Sequence, residues 1–89
     1  MNIGIVGRHP PTLETAMTTV ARLGHAAKGA LDDDEAVAWM RDGAIEVLVI
    51  GGGVEQASRR TLLEACAAHG VRPVEVFGPG SLEKALLEL

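Results

Sequence analysis

Ile45-Glu46-Val47-Leu48-Val49-Ile50-Gly51-Gly52-Gly53-Val54-Glu55 decides how the rest of the chain is read. The run is nearly continuous in apolar residues, rich in Val and Ile, and stops on three glycines. A run this short and β-branched, with no polar alternation, predicts a strand buried on both faces, as in the middle of a parallel sheet. The glycines then turn the strand's carboxyl end into a helix. In open α/β sheets that edge is where ligands bind.

Working outward, each flank repeats a strand-then-helix unit. Asn2 to Gly7 (NIGIVG) is a second strongly apolar strand, in which Gly4 allows close packing by a helix. Arg8-His9-Pro10-Pro11 makes the following turn, and two prolines precede or open a helix without losing a needed N–H partner. Thr12 or a neighbour is the expected cap. Leu13, Ala16, Met17 and Val20 recur at i, i+3, i+4 and i+7, the stripe of an amphipathic helix that Gly24 ends. His25 to Leu31 (HAAKGAL) has strand length but poor strand residues, which places it at a sheet edge. Asp32 and Glu35 are spaced as a capping box. All four acids from Asp32 to Glu35 suit a helix N-terminus, whose dipole favours negative charge, and a divalent cation is the alternative reading of the run. That helix carries Ala36, Val37 and Met40, with Trp39 beside them, and stops at Gly43.

After the glycines, Glu55 to His69 forms a third helix with Leu62, Cys66 and His69 on one stripe and Gly70 at its end; His69 complements the negative end of the dipole. Val71 to Phe77 (VRPVEVF) is the fourth strand, marked as an edge by Pro73, which removes a ladder donor. Gly78-Pro79-Gly80 turns, and Ser81 is the expected cap of a last helix bearing Leu82, Ala85, Leu86 and Leu89. Strands separated by helices demand parallel pairing through right-handed crossovers. With the two apolar strands central and the two weak ones outside, the order is 2-1-3-4. The expectation is a single α/β domain over residues 1–89, a three-layer α/β/α sandwich of flavodoxin-like type.

Composition narrows the function. The chain has 89 residues, nearly half of them apolar but only Trp39 and Phe77 aromatic. Such a core is thin, so self-association that buries more apolar surface is expected. A net charge of −4 opposes binding to nucleic acid or to an anionic membrane surface, whose phosphates it would repel. No segment reaches the roughly 20 consecutive apolar residues of a membrane span, and the chain enters its first strand without a secretion signal. The single cysteine, Cys66, excludes an internal disulfide and any CxxC motif. It is read as a small buried hydrophobe in a cytoplasmic protein.

Three loops converge at the carboxyl edge between the first and third strands: Gly7-Arg8-His9, Gly51-Gly52-Gly53-Val54-Glu55 and Gly78-Pro79-Gly80-Ser81. Glycines admit a ligand close to the backbone, and N–H groups at a helix N-terminus attract an anion, with Arg8 and Arg59 available to add charge. The candidate ligand is therefore a small anion or a phosphate-bearing molecule such as a nucleotide, held in Rossmann-like fashion. Equally, glycines are what tight turns require. The dinucleotide fingerprint G-x-G-x-x-G fails from Gly7, because His9 and Thr12 hold its second and third glycine positions; the glycine run also lacks the lysine and hydroxyl of a Walker A loop. His9 with Glu55 is a candidate acid/base pair and Ser58 an unactivated nucleophile, with no third group to orient them. No catalytic residue, metal site or cofactor is assigned.

In element order the chain resembles a shortened response-regulator receiver domain. The likeness is strongest from the central strand into the third helix and in Val76-Phe77-Gly78-Pro79-Gly80-Ser81-Leu82-Glu83, similar to the family's final strand, proline turn and last helix. Where receivers carry an acidic pair after the first strand, this chain has Gly7-Arg8. Gly51 stands where they place the phosphoacceptor aspartate, Gly78 stands for the lysine before the final proline, and one strand-helix unit is missing. The resemblance therefore implies a receiver-like scaffold for binding or dimerisation without magnesium or acyl-phosphate chemistry. It also implies a cis Gly78-Pro79 peptide. Dimerisation is expected through the fourth strand (Val74, Val76, Phe77) or the last helix.

Overall fold

The computed structural model describes residues 1–77 and 80–89. Four strands alternate with four helices: β1 (Asn2–Val6), α1 (Pro10–Arg22), β2 (Ala26–Ala30), α2 (Asp33–Arg41), β3 (Val47–Ile50), α3 (Gln56–His69), β4 (Arg72–Glu75) and α4 (Ser81–Leu87). The strands form one parallel sheet in the order β2-β1-β3-β4. The two apolar strands are central and the two weak ones are edges, as their side chains require. Val47 to Ile50 are all buried, because helices cover both faces of β3.

Alternation along the strands sorts the core into two layers. Val6, Leu48 and Ile50 face α2 and α3, where they meet Met40, Leu62 and Cys66. Ile3, Ile5, Val47, Val49 and Val74 face α1 and α4, where they meet Val20 and Leu86. Gly4 is what lets α2 settle onto β1. A Cβ there would lie 2.8 Å from Trp39 Cε3 and 3.0 Å from Ile45 Cδ1, so the indole occupies the space a side chain would need. Cys66 is fully buried, with its Sγ 3.6 Å from Met40 Sδ.

The helix ends follow local chemistry, with two departures from expectation. Asp32 caps α2 as anticipated, its side chain accepting from the Glu35 N–H at 2.9 Å. Gly70 closes α3 in the left-handed conformation (φ 68°). At α1, by contrast, the cap position belongs to His9 rather than Thr12, because Pro10 and Pro11 already supply the first helical turn; His9 makes no side-chain capping bond. At α4 the cap residue is Gly80, left-handed at φ 80°, and Ser81 is the first helical residue, making no capping bond. The fourth strand is also shorter than its apolar run. Val74 points into the core, whereas Phe77 lies beyond the strand and is 72% exposed. Of the residues expected at an edge interface, the Val74 side chain is buried in the core and Phe77 is the exposed one. Gly78-Pro79 lies outside the described residues, and the expected cis bond with it. Among the described residues, no helix is long and apolar enough to cross a membrane.

Candidate functional site

The carboxyl edge of the sheet is built around Arg8. Placed just beyond β1, its guanidinium reaches three residues in two separate segments. One Nη donates to the Leu31 carbonyl at 2.7 Å, the other to Asp33 Oδ1 at 2.8 Å, and Nε donates to Glu55 Oε1 at 2.9 Å. A second bond to Glu55 Oε2 at 3.3 Å makes that pairing bidentate, the geometry a planar guanidinium favours. Arg8 thus joins the β2–α2 junction to the start of α3. The hydrogen bonds it donates hold the Glu55 carboxyl down to about 2, and the acceptance of these bonds by Glu55 and Asp33 raises the already high Arg8 value further. Ser58 Oγ adds a bond to Glu55 Oε2 at 3.2 Å.

Arg59 performs a parallel task on the other side of β3. Its two Nη atoms donate to the Gly51 carbonyl at 2.6 Å and to Glu75 Oε1 at 2.9 Å. The guanidinium carbon also sits 4.7 Å from the centre of the Phe77 ring, within cation–π range. Both arginines are spent on the protein's own acceptors.

The three glycines pack loop against loop. A Cβ on Gly51 would fall 3.1 Å from the Val6 carbonyl oxygen and 3.6 Å from Gly7 Cα, and one on Gly52 would fall 3.4 Å from Phe77 Cα. A Cβ on Gly53 would lie 3.9 Å from the Arg8 Cβ. The close approach that a glycine loop offers a ligand is, at Gly51 and Gly52, taken up by neighbouring backbone.

Beside this edge a cleft of about 620 Å³ opens between α1 and a side formed by Val76, Phe77, Gly80 and Leu82. Ile5 and Val49 form its floor, Leu13 and Ala16 one wall, and Val76 and Leu82 the other. Gly7, Arg8, His9, Gly51, Gly52 and Gly53 border its upper end. Six of the residues singled out from sequence therefore share one cavity. Glu55 and Arg59 stand behind it as partners of Arg8 and of Gly51. Ser81 does not line the cleft, and Gly78 lies outside the described residues. His9 and Glu55 are not brought together: His9 Nδ1 pairs with Thr12 Oγ1 at 2.9 Å, while Glu55 is held by Arg8. Sequence reasoning missed Asp33 and Glu75 as the partners of the two arginines, and missed the apolar body of the cleft. The stripe Leu13, Ala16 carried a signal for the latter, but it also serves the core. Among the described residues, no group of three or more His, Cys, Asp or Glu side chains is placed to hold a metal ion.

No protein-family model matches the chain, and no curated protein matches it in sequence. Among solved structures the fold is similar to that of NtrX from Brucella abortus, determined in complex with ADP, with a TM-score of 0.55 and 17% sequence identity. The match covers 98% of this chain and 24% of NtrX, so the chain spans about a quarter of that solved protein. NtrX is a response regulator, and the likeness is one of fold: a parallel sheet in the order 2-1-3-4 with flanking helices, a receiver-like, flavodoxin-like α/β architecture.

Proposed function

We propose that residues 1–89 act as a non-catalytic, receiver-like regulatory or interaction domain in the cytoplasm, homodimeric and not itself a phosphoacceptor. The observation that carries this reading is the state of the carboxyl edge. Gly51 occupies the position at which the resemblance places a phosphoacceptor aspartate, and a Cβ there would press on the Val6 carbonyl at 3.1 Å. Arg8 occupies the place of the acidic pair, and its charge is absorbed by Asp33 and Glu55. An edge held by its own ion pairs supports a scaffold role over turnover: the Ser58 hydroxyl meets a carboxylate, but Arg8 holds Glu55 down to about 2 and so makes it a poor base.

Self-association is the partner half of the proposal. β4 is an edge strand, and such strands present unpaired backbone groups to a neighbour. Phe77 and Leu87 are 72% and 71% exposed. Two measurements test the reading. Incubation with acetyl phosphate and magnesium, followed by intact mass spectrometry, is expected to leave the mass unchanged; gain of a phosphoryl group overturns the first half. Sedimentation at high micromolar concentration is expected to show a dimer that Phe77→Asp with Leu87→Asp dissociates, and a monomeric wild type overturns the second.

A further inference from the structure

The cleft between α1 and α4 goes beyond that reading and is independent of it. Its volume of about 620 Å³ lies inside the roughly 300–1,000 Å³ range of small-molecule sites. Its floor and walls are aliphatic: Ile5, Leu13, Ala16, Val49, Val76 and Leu82. What decides its chemistry is the fate of the polar side chains that border it. Arg8 is committed to the Leu31 carbonyl, Asp33 and Glu55, so one cation faces two carboxylates and an incoming anion meets no uncompensated positive charge. His9 and Thr12 are bonded to each other. The Thr15 hydroxyl donates to the Pro11 carbonyl at 3.1 Å and the Thr19 hydroxyl to the Thr15 carbonyl at 3.1 Å. Pro10 and Pro11 supply no N–H at the start of α1, which removes two of the donors that a helix N-terminus offers an anion.

We infer that this cleft is a binding site for an uncharged, mainly apolar small molecule, seated on Ile5 and Val49 between Leu13, Ala16 and Leu82. A neutral ligand matches a lining whose side-chain hydrogen-bonding groups are already bonded and whose one cation is neutralised. Over the aliphatic floor a carboxylate or phosphate would lose its hydration without gaining a side-chain partner or an uncompensated cation. Gly7, Arg8, His9 and the glycines 51–53 thus border the top of an apolar site instead of cradling a phosphate.

A matched pair of probes tests this, naphthalenemethanol and naphthoate, titrated into the full chain and followed by methyl NMR. Naphthalenemethanol is expected to shift the methyl signals of Ile5, Leu13, Val49 and Leu82 and to show intermolecular contacts with them; naphthoate should bind about tenfold or more weakly, through the cost of desolvating its carboxylate. Ala16→Phe, which fills the cleft from α1, is expected to abolish the shifts while circular dichroism and the melting transition show a folded chain. Should that variant fail to fold, the intermolecular contacts in the wild type decide. Absence of shifts with the neutral probe, shifts confined to other residues, or equal binding by a folded Ala16→Phe overturns the inference. So does tighter binding of naphthoate that is lost in Arg8→Ala, which would make the site an anion site.

Discussion

Arg8 is the residue on which the carboxyl edge depends. Its side chain is 25% exposed and the Asp33 carboxylate 24%, so that pair is partly shielded, whereas Glu55 at 61% is open to solvent and to screening by salt. Arg8→Ala is expected to lower stability by about 1–2 kcal/mol, chiefly through the lost bonds to Leu31 and Asp33, as measured by urea denaturation. The pH dependence follows from Glu55. Its folded-state value is depressed from 4.5 to about 2 by the hydrogen bond from Arg8, so its contribution is present above pH 4.5 and is lost as pH falls toward 2. Acid titration of stability should show that loss in the wild type and a shallower one in Arg8→Ala; identical profiles would refute the coupling. Little of this was legible in sequence. Arg8 and Glu55 were recognised as edge residues, but a bond between positions 47 apart follows from the crossover geometry and leaves no local pattern. Asp33 was read only as part of a helix-favouring acid run. Its nearness to Arg8 depends on β2 lying beside β1.

At the level of elements, packing is set by where small residues stand. Trp39 rests on Gly4, so Gly4→Ala should cost about 1–3 kcal/mol as the indole and Ile45 are displaced. As Trp39 is the sole tryptophan, a changed emission spectrum reports the displacement directly, and unchanged emission with unchanged stability would refute the contact. The cap of α2 is a second test: Asp32→Ala is expected to cost about 1 kcal/mol by exposing the Glu35 N–H. Elements of this kind were readable in advance. Apolar content ordered the strands, because only helices on both faces suit Val47 to Ile50, while alanine and glycine sent β2 to an edge. The failures were at ends. Ser81 was expected as a cap because serine suits one, but a left-handed glycine before it turns the chain into α4. Val76 and Phe77 continue an apolar pattern after the ladder has ended, since β3 stops at Ile50.

For the molecule as a whole, Cys66 offers a probe of cooperative opening. The thiol is fully buried against Met40, and burial pushes it up to about 11, so neither access nor thiolate is available in the folded state. Labelling by an aromatic disulfide near neutral pH is expected to be slow and to accelerate with urea in step with global unfolding; rapid labelling of the native chain would show local opening of α3. The two arginine clasps bear on the same equilibrium in time. Arg8 ties together residues 8, 31, 33 and 55, which meet only after β1 has paired with β2 and β3 and both crossovers are in place. A contact so late in assembly is expected to be unformed in the folding transition state, so that its loss falls on the unfolding rate. Arg8→Ala should therefore refold at close to the wild-type rate and unfold about 5- to 30-fold faster, the factor that corresponds to about 1–2 kcal/mol. Stopped-flow denaturant jumps separate the two rates. The clasp at the mouth of the sheet then acts as a latch on lifetime, setting how long the assembled edge persists and leaving the speed of its assembly to the strands.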